Sequence, residues 1–341
     1  MQREAYFDHA KILFIFLVVF GHMIQPLKQD IVLVDNLYQW IYLFHMPAFV
    51  MISGFFAKGS GDKGYIMKLA KRLIVPYLIF QAFYTIYYRF IGKSNWESSF
   101  FDPHWGLWFL LSLFSWHLLL IAFKKLPPLY GVLIAFTLGI GIGYISGIGE
   151  AFSLSRTIVF FPFFLLGYWA TKDRLMQLKN VRFKLASLAV LLVIFAVISF
   201  TPTMSAYWLF GSTPYQALDY PITGGLIRVG LYALAVIMTF SILAWVPRQE
   251  MRFTYMGQYT LYVYLLHGTV IQYIRQADLL KLNNNFDVIG LAVISILLVG
   301  FLSSKWIVMF TQPAIELKNS EWKKWIQDSN GKSRKEKHAL R

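Results

Sequence analysis

The chain has 341 residues, 57% of them hydrophobic and only 14% charged, against about 45–50% and about 25% in an ordinary globular protein. With a mean hydropathy of +0.53, this excludes a soluble enzyme and asks for one membrane-embedded unit. The net charge of +15 sits in short segments between apolar runs and forms no nucleic-acid motif, so no nucleic-acid partner is expected; the absence of cysteine removes disulfides, thiolate metal sites and a cysteine nucleophile.

Ten runs approach the length of about 20 residues that a helix needs to cross a bilayer. The first, 10–27, follows Arg3 and Lys11 as a signal peptide would, but no small-residue cleavage site follows and Gly21-His22-Met23 continues apolar, which predicts a retained helix. The second, 37–57, carries His45 and Pro47; the third, 73–91, opens behind Lys68, Lys71 and Arg72; the fourth, 105–123, holds Trp108 and His117. Next come 130–148, then 151–170 with Arg156 near its start, and 185–200. The connection 201–221, with Pro202, Pro214 and Pro221 among aromatics, is the longest on its side and is placed to cover a site. The eighth run is 222–246, the ninth 254–274 with His267, and the tenth 288–310. Continuous apolarity, rather than alternation, predicts an all-α polytopic transmembrane helix bundle of about ten helices. The transmembrane domain spans 1–313, and a basic tail, 314–341, is expected to be partly disordered or to lie on an anionic leaflet.

Basic loops stay cytoplasmic. With the N-terminus inside, the outer loops hold only Lys28, Lys93, Arg275 and Lys281, while Arg89, Arg156, Arg228 and Lys305 fall within or at the ends of apolar runs. The remaining lysines and arginines are all on the inner side, so both termini are expected in the cytoplasm and the protein in the cell (plasma) membrane, among its lipids.

Ionisable groups inside a bilayer cost several kcal/mol each and are functional candidates by default. The carboxylates lie in loops or at helix ends, which leaves His22, His45, His117, Arg156, Arg228 and His267 inside, with Lys305 at a run's end. Counted from the outer ends of their runs, His22, His45, His267 and Arg156 share one layer about 7 to 12 Å deep, and His117 lies deeper. No pair of histidines has a metal-ligand spacing on one helix, so no metal is expected. Single interhelical histidines often serve only as hydrogen-bonding links, but a histidine near neutral pKa suits a base that takes a proton from a hydroxyl, and His22 is favoured for that role. Lys11 lies about 16 Å from His22 along the same helix. Together with Lys68, Lys71 and Arg72 it reads either as positive-inside anchoring or as a set of cations for donor phosphates.

Asp8-His9-Ala10-Lys11 followed by Phe16 to His22, then Tyr42-Leu43-Phe44-His45-Met46-Pro47 running into Ser53-Gly54, resembles the opening helices of the acyltransferase-3 family of bacterial membrane O-acyltransferases, in the style of its fucose-4-O-acetylase-like branch. Arg72 to Tyr77 with Pro76, Trp108-Phe109-Leu110, Phe161 to Phe164 with Gly167-Tyr168, and Tyr262 to His267 follow in family order. Many members carry arginine ten residues before the first-helix histidine, where this chain has Lys11, which keeps the charge and loses the bidentate fork.

The resemblance implies a cytoplasmic acyl-CoA donor, most simply acetyl-CoA, an extracytoplasmic carbohydrate hydroxyl as acceptor, and an essential first-helix histidine. On that footing Lys11, Lys68, Lys71 and Arg72 are expected to hold the donor. His22 would act as base or transient acyl carrier, His45 would orient it or relay its proton, and Arg156 would polarise the thioester or bind the acceptor. His267 and Trp108 are assigned to the acceptor. The alternative from composition alone is a transporter or flippase of a glycan or lipid precursor; the absence of intramembrane carboxylates weighs against an ion-coupled one.

Overall fold

The computed structural model describes residues 4–28, 31–58, 63–93, 102–148, 151–280 and 284–318. Most of the expected basic tail lies outside them. Every regular element among the described residues is helical, and each of the ten apolar runs falls on a helix. In chain order the helices are α1 (Ala5–Ile24), α2 (Val32–Phe55), α3 (Lys63–Phe90), α4 (Trp108–Phe123), α5 (Pro128–Gly141), α6 (Leu154–Trp169), α7 (Lys172–Gln177), α8 (Val181–Phe200), α9 (Tyr207–Phe210), α10 (Gly224–Leu243), α11 (Thr260–Gln276), α12 (Asp287–Leu302) and α13 (Lys305–Glu316).

Length and apolarity alone qualify α1 with its terminal 3-10 turn, α8 and α10 to cross a membrane. The tenth run is not one straight span: α12 and α13 meet at 65° and pass only as a pair, because Ser303 and Ser304 leave the helical ladder and Ser304 caps α13 through the Ile307 amide. Other long helices carry buried polar residues, Gln39 and His45 on α2, Gln81 on α3, and His267 and Gln272 on α11, which lower their hydropathy. The boundary expected at 314 falls within α13, which runs to Glu316.

α1 is the axis of the bundle. Phe14, Ile15, Val19, Met23 and Ile24 on it are fully buried, and it packs against α2, α11 and α12. α8 is its opposite, burying only Ser187 and Leu191 while Leu185, Leu192, Val193 and Val197 face outward, a surface suited to lipid and not to water. In the short loop before α8, the Lys179 amine donates to the carbonyls of Ala244 and Val246 and lies 4.9 Å from the Tyr6 ring centre. Burial, with Lys184 and Arg248 nearby, pushes its pKa down to about 8.

The tightest crossing joins α2 and α6. A Cβ built on Gly54 would sit 2.0 Å from the Phe164 carbonyl oxygen, and one on Gly167 would sit 1.8 Å from that of Met51. The two glycines let backbone meet backbone, the device by which helices associate in a medium that offers no hydrophobic drive between them. Gly54→Val and Gly167→Val should each destabilise the protein by at least the 1–3 kcal/mol typical of overpacking, because the obstructing atoms are main chain and cannot rotate aside. Thermal unfolding in one detergent checks this, with Gly290→Ala, at a position with open space around it, expected to stay near wild type.

Candidate active site

α1 and α2 bring His22 and His45 to the same end of the bundle. There a cavity of about 110 Å³ is lined by His22, Gln25, Tyr42, His45, Met46, Trp105, Trp108, Arg156, Phe160, Leu209 and Phe210. The layer expected from helix rise is therefore met in space by four residues: His22, His45 and Arg156 line the cavity, and the His267 ring stacks 5.5 Å from that of His22. Trp108 also lines it, with the Arg156 guanidinium 5.4 Å from its ring centre. Leu209 and Phe210 come from α9, in the proline-rich connection, which closes over the cavity. Its hold on α6 comes from Ser155 Oγ donating to the Gly211 carbonyl at 2.8 Å and Arg156 Nη2 donating to Ser212 Oγ at 3.3 Å.

Hydrogen bonds fix which imidazole nitrogens are available. His45 Nδ1–H donates to the Ile41 carbonyl at 2.9 Å, and His267 Nδ1–H to the Val263 carbonyl at 3.0 Å. Each ring therefore keeps a bare Nε2, able to accept a proton and unable to donate one. His22 Nδ1 lies 3.2 Å from the Tyr42 hydroxyl. When Nδ1–H donates to that oxygen, Nε2 is left as the base.

Three further residues frame His22. Trp105 has its indole 4.1 Å from the His22 ring and 5.5 Å from that of His267, and it holds φ at 33°, a left-handed backbone that is strained for a bulky side chain. His104, the residue before Trp105, is anchored on α3: its Nε2 is 2.8 Å from Thr85 Oγ1, and its amide donates to Gln81 Oε1 at 3.0 Å. Burial, reinforced by the Lys93 charge, pushes its pKa down to about 4, so it is neutral at physiological pH. Arg275, counted with the outer-loop cations in the sequence, instead ends α11 with its side chain turned inward. Its Nη2 donates to the His22 carbonyl and to Gln25 Oε1, and its guanidinium lies 5.1 Å from the Trp105 ring centre.

A second cavity, of about 360 Å³, opens toward the other end of α1. Its lining includes Lys11, Ser53, Tyr65, Arg72, His117 and Leu261. Of the four cations expected to hold a donor, Arg72 and Lys11 line it, while Lys68 and Lys71 are exposed and turned away. Lys11 is already paired with the buried Asp8 carboxylate at 2.8 Å. His117 is held by Tyr65, whose hydroxyl is 3.0 Å from its Nδ1.

No residue lines both cavities. Phe49, Phe109 and Tyr264 line the second cavity, with ring centres 5.3 Å apart for the first pair and 5.7 Å for the second, and they adjoin the first pocket, Phe109 lying 6.0 Å from Trp108 and Tyr264 6.3 Å from His267. The Tyr264 hydroxyl is tied to the Gly106 carbonyl. Among the described residues no group of three or more His, Cys, Asp or Glu is arranged to hold a metal ion.

Sequence reasoning passed over Tyr42, Gln25, Trp105 and Arg275 as site residues. Tyr42 had a usable signal, standing three residues before His45 and so on the same helix face. Trp105 and Arg275 had none, since one depends on a loop conformation and the other on side-chain direction.

Comparison with known proteins gives a consistent picture. The chain is 29% identical over 147 residues to the nodulation protein NolL of Sinorhizobium fredii, covering 37% of this chain and 38% of that protein. It is 39% identical over 62 residues to NolL of Mesorhizobium japonicum, covering 17% of each. The chain thus spans well under half the length of these curated relatives, and no solved structure matches it. The acyltransferase-domain profile of the acyltransferase-3 family matches residues 4–305, nearly the whole of the helical bundle just described, and the chain belongs to that family.

Proposed function

We propose that the protein transfers an acyl group, most simply acetyl, from cytoplasmic acyl-CoA to a hydroxyl of an extracytoplasmic glycan or sugar. The observation that carries this reading is the pair of cavities set end to end, one with an arginine at its mouth and one with a base, divided by a single layer of aromatic side chains. Arg72 engages a CoA phosphate, while the apolar walls given by Phe49, Phe109 and Leu113 suit the acyl-pantetheine arm. The arm reaches the histidine pocket by displacing the Phe49–Phe109–Tyr264 layer. The uneven distribution of lysine and arginine supports placing both chain termini and the Arg72 cavity in the cytoplasm.

In the pocket, His22 Nε2 takes the proton of the acceptor hydroxyl as its oxygen attacks the thioester carbonyl. The C–O bond forms, the C–S bond breaks, and the leaving thiolate recovers the proton from the imidazolium. Tyr42 accepts from Nδ1–H and holds the tautomer that makes Nε2 basic. His45, with its bare Nε2, takes up and returns a proton when the hydroxyl is not directly on His22. Arg156 is placed to stabilise the carbonyl oxygen as it becomes negative, while Trp108 and His267 form walls for the acceptor.

His22→Ala should lower donor turnover on the order of 10²-fold or more by loss of the base with its melting temperature close to wild type, and Tyr42→Phe should lower kcat by about tenfold with the KM for donor unmoved. Release of free CoA from labelled acetyl-CoA, in membranes that supply the acceptor, measures both, and a fully active His22→Ala protein would refute the mechanism. Arg72→Ala should raise the donor KM by roughly ten- to a hundredfold, the equivalent of one charge-assisted phosphate contact, whereas Lys125→Ala in a neighbouring basic loop should not. Equal effects of the two would remove the donor site from Arg72. Single cysteines at Gln216 and Gln177 in this cysteine-free chain should respectively react with and resist an impermeant maleimide on intact cells; the reverse pattern would invert the orientation.

A further inference from the structure

His117 takes no part in the chemistry above, although it lines the larger cavity from α4 with only 6% of its surface exposed. Its Nδ1 is taken by the Tyr65 hydroxyl of α3 at 3.0 Å, and its ring packs edge-on to Phe164 with 5.3 Å between centres. Those contacts account for a link between helices, but for only one of the two ring nitrogens. Among the described residues Nε2 meets no partner, and it is not shut away by packing, so it is open to the cavity.

Apart from the exposed Arg72 and from Thr260 at the start of α11, the other polar groups lining this cavity are engaged. Lys11 pairs with Asp8, Ser53 Oγ donates to the Phe49 carbonyl at 2.9 Å, the Tyr264 hydroxyl donates to the Gly106 carbonyl, and Tyr65 holds His117. The rest of the wall is aliphatic and aromatic. A polar group carried into such surroundings gives up its water and must find a hydrogen bond inside.

The pantetheine arm of the proposed donor brings such groups, namely two amides, each with a carbonyl that accepts and an N–H that donates. An imidazole nitrogen meets either need. Where Tyr65 donates to Nδ1, Nε2–H donates to an amide carbonyl; with the tautomer reversed, the bare Nε2 accepts from an amide N–H. Position agrees, since along α4 His117 stands about 14 Å from Trp108 of the His22 pocket, and so lies partway along an arm whose thioester reaches that pocket. We infer that His117 is a binding residue for the donor, holding an amide of the pantetheine arm through Nε2 while Tyr65 fixes the ring. The inference rests on the acyl-CoA reading for the identity of the arm and on the cavity for the place of the contact.

Three probes divide the donor: coenzyme A, pantetheine, which is the arm without the nucleotide, and adenosine bisphosphate, which is the nucleotide end without the arm. Their affinities for the purified full-length protein in nanodiscs are read by isothermal titration, with acetyl transfer from labelled acetyl-CoA followed in parallel. The chain has no cysteine for the free thiols to capture. Wild type should bind CoA about tenfold or more tighter than the bisphosphate, since the arm adds buried apolar surface. His117→Phe, which keeps an aromatic ring against Phe164, should weaken CoA and pantetheine by about three- to tenfold, the size of one neutral hydrogen bond, with the bisphosphate unmoved. His117→Gln, which keeps a donor and an acceptor, should recover most of that loss. Arg72→Ala should show the complementary pattern, weakening CoA and the bisphosphate and sparing pantetheine. Unchanged CoA affinity in His117→Phe overturns the inference, and so does equal weakening of all three probes, which would reduce His117 to a strut between α3 and α4. If His117→Phe misfolds, His117→Leu takes its place, and a wild type that binds CoA no tighter than the bisphosphate, including binding of neither, overturns the inference without either. Arm recognition by His117 without acetyl transfer from wild type would reject the proposed reaction and leave this subsite standing.

Discussion

The contact between α2 and α6 at Gly54 and Gly167 sets where the rest of the site lies. α2 carries Tyr42 and His45 on one side of this crossing, α6 carries Arg156 and Phe160, and the distance between the helix axes fixes how far the imidazole stands from the guanidinium. Two main chains in contact leave no side chain to yield, so the crossing acts as a rigid joint in the bundle. Ser53-Gly54 and Gly167-Tyr168 appear in the sequence as part of a family resemblance. The structure supplies their physical reason, since no larger residue fits at either glycine.

Most of the fold was legible in the sequence because lipid imposes one strong rule: a chain that cannot hydrogen-bond to its solvent must satisfy its backbone within helices. The shared layer of His22, His45, His267 and Arg156 was legible for a related reason, as rise per residue converts sequence position into depth. What depth does not give is direction around the helix. On α3 the second cavity is lined by Tyr65, Leu69, Arg72 and Leu73, one face repeating every three to four residues, so Lys68 and Lys71 point elsewhere although they lie at almost the same height. Arg275 escaped for the complementary reason: it stands at the end of its helix like an outer-loop cation, and its side chain returns to α1. The break between α12 and α13 carries no proline or glycine to announce it, only two serines able to satisfy main-chain groups locally.

The site is polarised by the protein in a consistent way. His45 and His267 each use their ring N–H on a carbonyl four residues back in their own helix, which leaves proton-accepting nitrogens, and among the described residues Arg156 lines the pocket and Arg275 backs His22. Bare imidazole nitrogens are matched to hydroxyl protons, which is the group the proposed acceptor would bring. Trp105, strained at its backbone, packs against the rings of both His22 and His267, which also stack on one another, so ring packing holds these imidazoles in place alongside the hydrogen bonds within their helices.

The aromatic layer of Phe49, Phe109 and Tyr264 has a physiological consequence. A membrane that holds a proton gradient tolerates no continuous file of water, and the proposed transfer would join a donor on one side to an acceptor on the other. Three aromatic rings spaced 5.3 and 5.7 Å apart offer few hydrogen bonds to such a file, and in the proposed reaction the acyl arm would fill the opening it makes. On that reading, catalysis and the retention of an ion gradient would be compatible in one bundle.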